Sequence, residues 1–264
     1  MQLVQEGRGV PLIFVPGLQG RWEYARATVS ALAEDFRVIT FALCDEPVAQ
    51  FPFDPRRAFD SYADQVLAAL HASGHHRAVV CGLSFGGLIA LRFAAEHPDR
   101  VDALVLASTP GPGTRLRQRH QLYVRFPRLL GPLFIIETPL RLQEEIRAAL
   151  PRLGERWAFL RDLLRTPLTA PLSLSRMATR ALLMGSYDAS ADCARITVPT
   201  LVITGQPGLD HVVPAGATSA YAKLIPDSEL AVLERTGHVG SLTRPTAFAA
   251  IVADFVRRKH HAAA

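Results

Sequence analysis

The stretch Ala78-Val79-Val80-Cys81-Gly82-Leu83-Ser84-Phe85-Gly86-Gly87-Leu88-Ile89-Ala90-Leu91 decides the architecture. An apolar, strand-like run enters a Gly-x-Ser-x-Gly turn at Gly82–Gly86, and a helix-forming stretch carries on from it to Glu96. So sharp a strand-to-helix turn strains the backbone of its central residue. Glycine at both flanking positions removes the Cβ atoms that would collide. The Ser84 hydroxyl is thereby carried to the edge of a sheet. The Phe85 N–H and the positive end of the following helix face the same space. Ser84 is the candidate nucleophile, and Cys81 reads as a small core residue at the end of its strand.

Outward from this turn, short apolar runs alternate with helix-period stretches, the pattern of a mainly parallel sheet covered on both faces. Strands are expected at Pro11–Val15, Phe36–Ala42, Val101–Ala107, Thr200–Thr204 and Glu229–Leu233. Helices are expected at Phe59–Ala72, Ala215–Leu224 and Pro245–Arg258. The fold class is therefore α/β, a mostly parallel, doubly wound sheet of about seven strands. Between Pro110 and Ile196 the rhythm changes: strands vanish, prolines multiply, and leucine and arginine dominate. The expected organisation is a core of residues 1–109 plus 197–264, interrupted by a helical lid over 110–196. Ligands in open α/β sheets bind beyond the carboxyl ends of the strands, so the lid would wall the space above Ser84. Its leucines, Leu129, Leu130 and Leu133 among them, are expected to be buried there or against each other.

Composition narrows the function classes. Apolar residues make up 49% of the 264, ample for a packed core. No apolar run approaches the ~18 residues of a membrane span, and the first residues lack a secretory pattern. Cys44, Cys81 and Cys193 are odd in number and widely spaced, which argues for a reducing, cytoplasmic compartment without disulfides. No His/Cys/carboxylate spacing suits a metal, and no cofactor motif is present. The formal charge is +5, with arginines clustered at Arg115, Arg117, Arg119, Arg125 and Arg128. No nucleic-acid module accompanies them. They read as a solvated face offset by Glu144, Glu145 and Glu155, with an acidic carrier protein as the alternative partner.

A serine hydroxyl needs a base to take its proton and an acid to orient that base. One histidine and one carboxylate, each just past a strand's carboxyl end, meet this need. His238 in Thr236-Gly237-His238-Val239-Gly240 follows the last strand. Asp210 in Leu209-Asp210-His211-Val212-Val213-Pro214 follows the strand ending at Thr204. His211 reads as a loop residue directed elsewhere. Asp45 and Glu46 also follow a strand, but nothing in the sequence selects them.

With the Pro16-Gly17 turn, the Ser84 turn, Asp210 before Val-Val-Pro and Gly237-His238 in this order, the chain resembles the α/β-hydrolase family over essentially its whole length. The resemblance implies that Ser84 is nucleophile, His238 general base then acid, and Asp210 the orienting carboxylate. It also implies an oxyanion hole made of the Leu18 and Phe85 backbone N–H groups. Two departures stand out. The family's histidine before the oxyanion-loop glycine is Pro16 here, so a loop-bracing hydrogen bond gives way to a rigid turn. The family's glycine-rich loop after the next strand is replaced by Asp45-Glu46-Pro47-Val48-Ala49-Gln50-Phe51-Pro52-Phe53-Asp54, whose Phe51 and Phe53 are expected to help line the pocket. The segment before Pro11 looks too short for the two leading strands many relatives carry.

The expected function is hydrolysis of a small or medium carboxylic ester through an acyl-enzyme. The alternatives are C–C cleavage of a diketone-like acid or perhydrolysis by the same triad, and a ligand-binding receptor with little turnover.

Overall fold

The computed structural model describes residues 1–116 and 118–263. Seven strands form one sheet: β1 (Val4–Glu6), β2 (Val10–Val15), β3 (Phe36–Thr40), β4 (Ala78–Leu83), β5 (Val101–Ala107), β6 (Thr200–Gly205) and β7 (Ser228–Leu233). Their order is β1-β3-β2-β4-β5-β6-β7. All pairings are parallel except that of β1 with β3. The strand β1 was not anticipated. It is three residues long, largely exposed and placed at the sheet edge, so it carries almost no hydrophobic pattern.

Parallel strands buried on both faces read as continuous apolar runs, and here the two-residue side-chain period divides those runs between two cores. Ile13, Val15, Val80, Leu104 and Leu106 point to one face. There they meet helices α2 (Phe59–Ala72) and α3 (Phe85–Glu96). Leu12, Phe14, Val79, Cys81 and Val105 point to the other. That face is covered by α1 (Arg26–Leu32) and the carboxyl-terminal helix, Pro245–Ala263. Cys81 is fully buried, as a core residue should be.

Between β5 and β6 the described residues make six helices: α4 (Gln118–Arg125), α5 (Pro127–Arg141), α6 (Gln143–Ala149), α7 (Leu153–Thr169), α8 (Leu174–Ser186) and α9 (Ala189–Cys193). The last packs into the core, where Ala189 and Cys193 join the α2–α3 cluster. The other five reach the loops after β2, β3 and β7 through the side-chain bonds of α6 and α8 described below. Leu130 is half-buried, but Leu129 is 76% exposed and Leu133 46%. The expectation that these leucines are buried fails for the latter two. They lie with Ile136 and Leu140 along one exposed stripe of α5, turned away from the core.

Candidate active site

Ser84 is the residue between β4 and α3, with φ 53° and ψ −117°. A non-glycine residue rarely adopts such a backbone, which costs about 1–3 kcal/mol and persists only where neighbours hold it. The neighbours here are backbone. A Cβ on Gly82 would lie 2.5 Å from Gly87 Cα, and one on Gly86 would lie 2.5 Å from the Pro16 carbonyl oxygen. Ser84 N–H donates to Ala107 O at 2.8 Å, tying the turn to the end of β5. Phe85 opens α3, so its N–H has no acceptor within the helix. Gly17 packs close to this turn: a Cβ there would stand 3.6 Å from Ser84 Cβ. The following residue is Leu18, so of the two N–H groups expected to face an oxyanion one opens α3 next to Ser84 and the other belongs to the residue after Gly17.

Asp210 follows β6 and is 8% exposed. Its Oδ1 accepts hydrogen bonds from Val212 N (2.9 Å) and Val213 N (2.7 Å). This local turn fixes the carboxylate and leaves Oδ2 free to face His238 Nδ1 at 3.4 Å. The pair is close enough to interact electrostatically but does not form a hydrogen bond, and among the described residues the buried Nδ1 has no other partner. His238 follows β7, two strands along the same sheet edge from β5. His211 does point elsewhere: its Nε2 lies 3.1 Å from Glu144 Oε2 on α6. Phe53 packs against Tyr62 with the rings tilted by 45° and their centroids 5.3 Å apart, and Phe51 packs against the α2–α3 core. Arg115, Arg125 and Arg128 are exposed, while Arg117 and the side chain of Arg119 lie outside the described residues.

Two buried charged side chains from the β5–β6 segment reach this edge, and neither was anticipated there. Glu145 of α6 does not offset surface arginines. It is 1% exposed, and its Oε2 accepts the Val239 N–H at 3.1 Å, one residue beyond His238. A Cβ on Gly237 would lie 2.6 Å from the same oxygen, so glycine there is what admits the carboxylate. Burial pushes the Glu145 carboxyl up to about 7, and Asp210 adds to the rise. The backbone N–H groups of Val239 and Gly237 and the nearby His238 oppose it. Arg180 of α8 is fully buried and donates to Asp45, Glu46 and the Leu18 carbonyl. The available signal was a charge on an apolar stripe: Met177, Arg180 and Ala181 form the buried face of α8.

Among the described residues no cluster of three metal-binding side chains occurs, and no helix is long and apolar enough to cross a membrane.

Comparisons with known proteins place the fold. Residues 10–245 match the family described as alpha/beta hydrolase fold. The 2-hydroxymuconate semialdehyde hydrolase of Pseudomonas sp. (strain CF600) is 27% identical over 280 residues, spanning 99% of this chain and 92% of that protein. A pimeloyl-[acyl-carrier protein] methyl ester esterase of Neisseria meningitidis is 29% identical over 234 residues, covering 80% of this chain and 78% of its own length. The enol-lactonase from Burkholderia xenovorans LB400 superposes with a TM-score of 0.78 at 20% identity, covering 97% of this chain and 96% of that one. The seven-stranded sheet, its helical layers and the match across most of the sequence agree: this chain belongs to the α/β-hydrolase fold family of hydrolytic enzymes.

Proposed function

We propose that this hydrolase cleaves carboxylic esters through an acyl-enzyme on Ser84, with His238 as proton carrier and Asp210 as its orienting anion. The observation that supports this most is the Ser84 backbone, held at φ 53° by close-packed glycines at the carboxyl edge of the sheet. Strain of that kind is costly, and because Ala58 adopts a similar backbone (φ 47°, ψ −113°) with no nucleophile, it supports the reading through what it carries here: a hydroxyl at a strand-to-helix turn.

In this reading Ser84 Oγ adds to the ester carbonyl carbon while His238 Nε2 takes its proton. The carbonyl oxygen becomes an anion facing the Leu18 and Phe85 N–H groups, and one such donor contributes roughly 3–4 kcal/mol in a comparable site. His238 returns the proton to the departing alcohol as the C–O bond breaks. A water then attacks the acyl carbon, giving its proton to the same nitrogen, and Ser84 leaves with that proton. Asp210, pinned by two backbone N–H groups, stabilises the imidazolium at each stage.

Helices α4–α8 act as the lid that closes the site. Exposed Arg115, Arg125 and Arg128 suit an acyl group delivered on an acidic carrier protein. Unpaired, buried Cys44, Cys81 and Cys193 suit a reducing, cytoplasmic setting. Similarity to the 2-hydroxymuconate semialdehyde hydrolase along 99% of the chain supports a second reading, C–C cleavage of a ring-fission diketone by the same three residues.

Rates on aryl esters graded from acetate to long chains, set beside ring-fission diketone acids, separate the two. The ester reading expects a burst of phenol and an acyl mass on the Ser84 peptide. Turnover of the diketone with no ester hydrolysis favours the second reading, and a mass adduct absent from Ser84 defeats both.

A further inference from the structure

We propose that Arg180 is a positioning residue for the hydrolysis, holding the oxyanion loop in place through the Leu18 carbonyl. The proposal rests on the reading of Leu18 N–H as an oxyanion donor. The Arg180 side chain is fully buried, and each branch of its fork is engaged. Nη1 donates to Leu18 O at 2.9 Å. Nε and Nη2 donate to the two oxygens of Asp45 at 2.9 and 2.8 Å, and Nη2 also reaches Glu46 Oε1 at 2.6 Å. The loop is shaped around this group. Gly20 has φ +74°, and a Cβ there would stand 2.4 Å from the guanidinium carbon. Gly20 N–H closes a turn onto Gly17 O at 2.9 Å, so residues 17–20 form one unit seated on the arginine.

This arrangement resolves the oddity at Pro16. Proline has no side chain able to brace the loop, and the bracing bond comes instead from α8, 162 residues away in sequence. Asp45 and Glu46, which replace a glycine-rich loop, aim the guanidinium by bidentate and single contacts from the end of β3. A buried ion cluster contributes little as pure stabilisation, because desolvation offsets much of the Coulomb gain. Its distinctive product is geometry: a planar fork fixes three acceptors in one plane, which a lysine ammonium cannot do. Because Arg180 belongs to the β5–β6 segment, seating that segment and setting the Leu18 donor become one event.

The test uses the intact chain with Arg180→Lys, Asp45→Asn, and the uncharged combination Arg180→Met/Asp45→Asn/Glu46→Gln. Each is assayed for kcat and KM and for affinity toward two ligands. One is an aryl trifluoromethyl ketone, which forms a tetrahedral oxyanion on serine; the other is the matching unreactive amide. Expected in every variant that melts cooperatively is a kcat lower by ~10- to 100-fold with KM within a few-fold. Affinity for the ketone falls by a similar factor, while amide affinity and the pH profile of kcat stay unchanged. Parental kcat in any folded variant overturns the proposal, as does a loss shared equally by ketone and amide. If the parent enzyme itself does not prefer the ketone over the amide, the oxyanion reading fails first. A parental preference that survives unchanged in the variants removes only the role of Arg180.

Discussion

Glu145 Oε2 and Val239 N–H are joined at 3.1 Å, so a helix of the β5–β6 segment is fastened to the residue next to His238. The carboxyl is buried and its proton is held up to about 7, mainly by desolvation. His238 and Asp210 are the titratable groups that couple to it from the loops after β7 and β6, one pulling down and one pushing up.

That proton links to folding. The folded-state value lies above the ordinary 4.5, so the native state binds the proton more tightly than the unfolded chain. The associated stability is fully present below pH 4.5 and is lost as pH rises through about 7. A shift of that size corresponds to about 3 kcal/mol. Glu145→Gln should therefore melt near the parent at pH 4.5 and several degrees above it at pH 8. A melting-temperature difference that is flat between those pH values would show that Glu145 is not buried as a proton-binding carboxyl.

The backbone at Ser84 gives a prediction of opposite sign for stability and activity. Ser84→Gly should raise the melting temperature, because relief of about 1–3 kcal/mol of strain outweighs the ~0.5–1 kcal/mol entropic cost of glycine. Ser84→Ala should melt near the parent, since alanine keeps the strain. Both should lack ester turnover. Calorimetry and an aryl-ester assay on the same preparations check it, and a glycine variant that melts below the alanine variant would mean the strain is illusory.

Gly86→Ala places a methyl group against the Val15 and Pro16 carbonyl oxygens, which belong to the end of β2 and the turn that follows it. Backbone cannot give way as a flexible side chain can. We expect a loss of about 2–3 kcal/mol in stability, in the range for overpacking, and a lower kcat in whatever folds. Gly216→Ala, where nothing lies within 4 Å, is the matched control and should be near neutral.

Asp210→Asn should keep the local turn, because an amide oxygen still accepts from Val212 and Val213. Turnover should fall by about three to four orders of magnitude, since an amide facing Nδ1 holds the ring in the wrong tautomer. Steady-state rates on an aryl ester check this, and an Asp210→Asn enzyme as fast as the parent would remove Asp210 from the mechanism.

Much of this protein follows from its sequence alone. Local rules act on neighbours in the chain, so the strand Val101–Ala107, the strand Thr200–Gly205 but for its last residue, helix α2 and the Gly82–Gly86 turn were all legible from apolar period and glycine placement. That Ser84, Asp210 and His238 each follow a strand, β4, β6 and β7 in turn, was legible for the same reason: each sits at an element boundary that composition marks. The strand β1 left no such mark, because an exposed edge of three residues needs no apolar alternation. The direction in which a charged helix residue points is not a local property either. Glu145 looks like an ordinary member of an arginine- and glutamate-rich segment, and Arg180 differs only in sharing a helix stripe with Met177 and Ala181. Only the packing of that segment onto the carboxyl edge decided that Arg180 meets Leu18 and Asp45, and that Glu145 turns inward to Val239. These contacts join residues 94 or more positions apart, and desolvation, which depends on the whole fold, sets what such buried charges do.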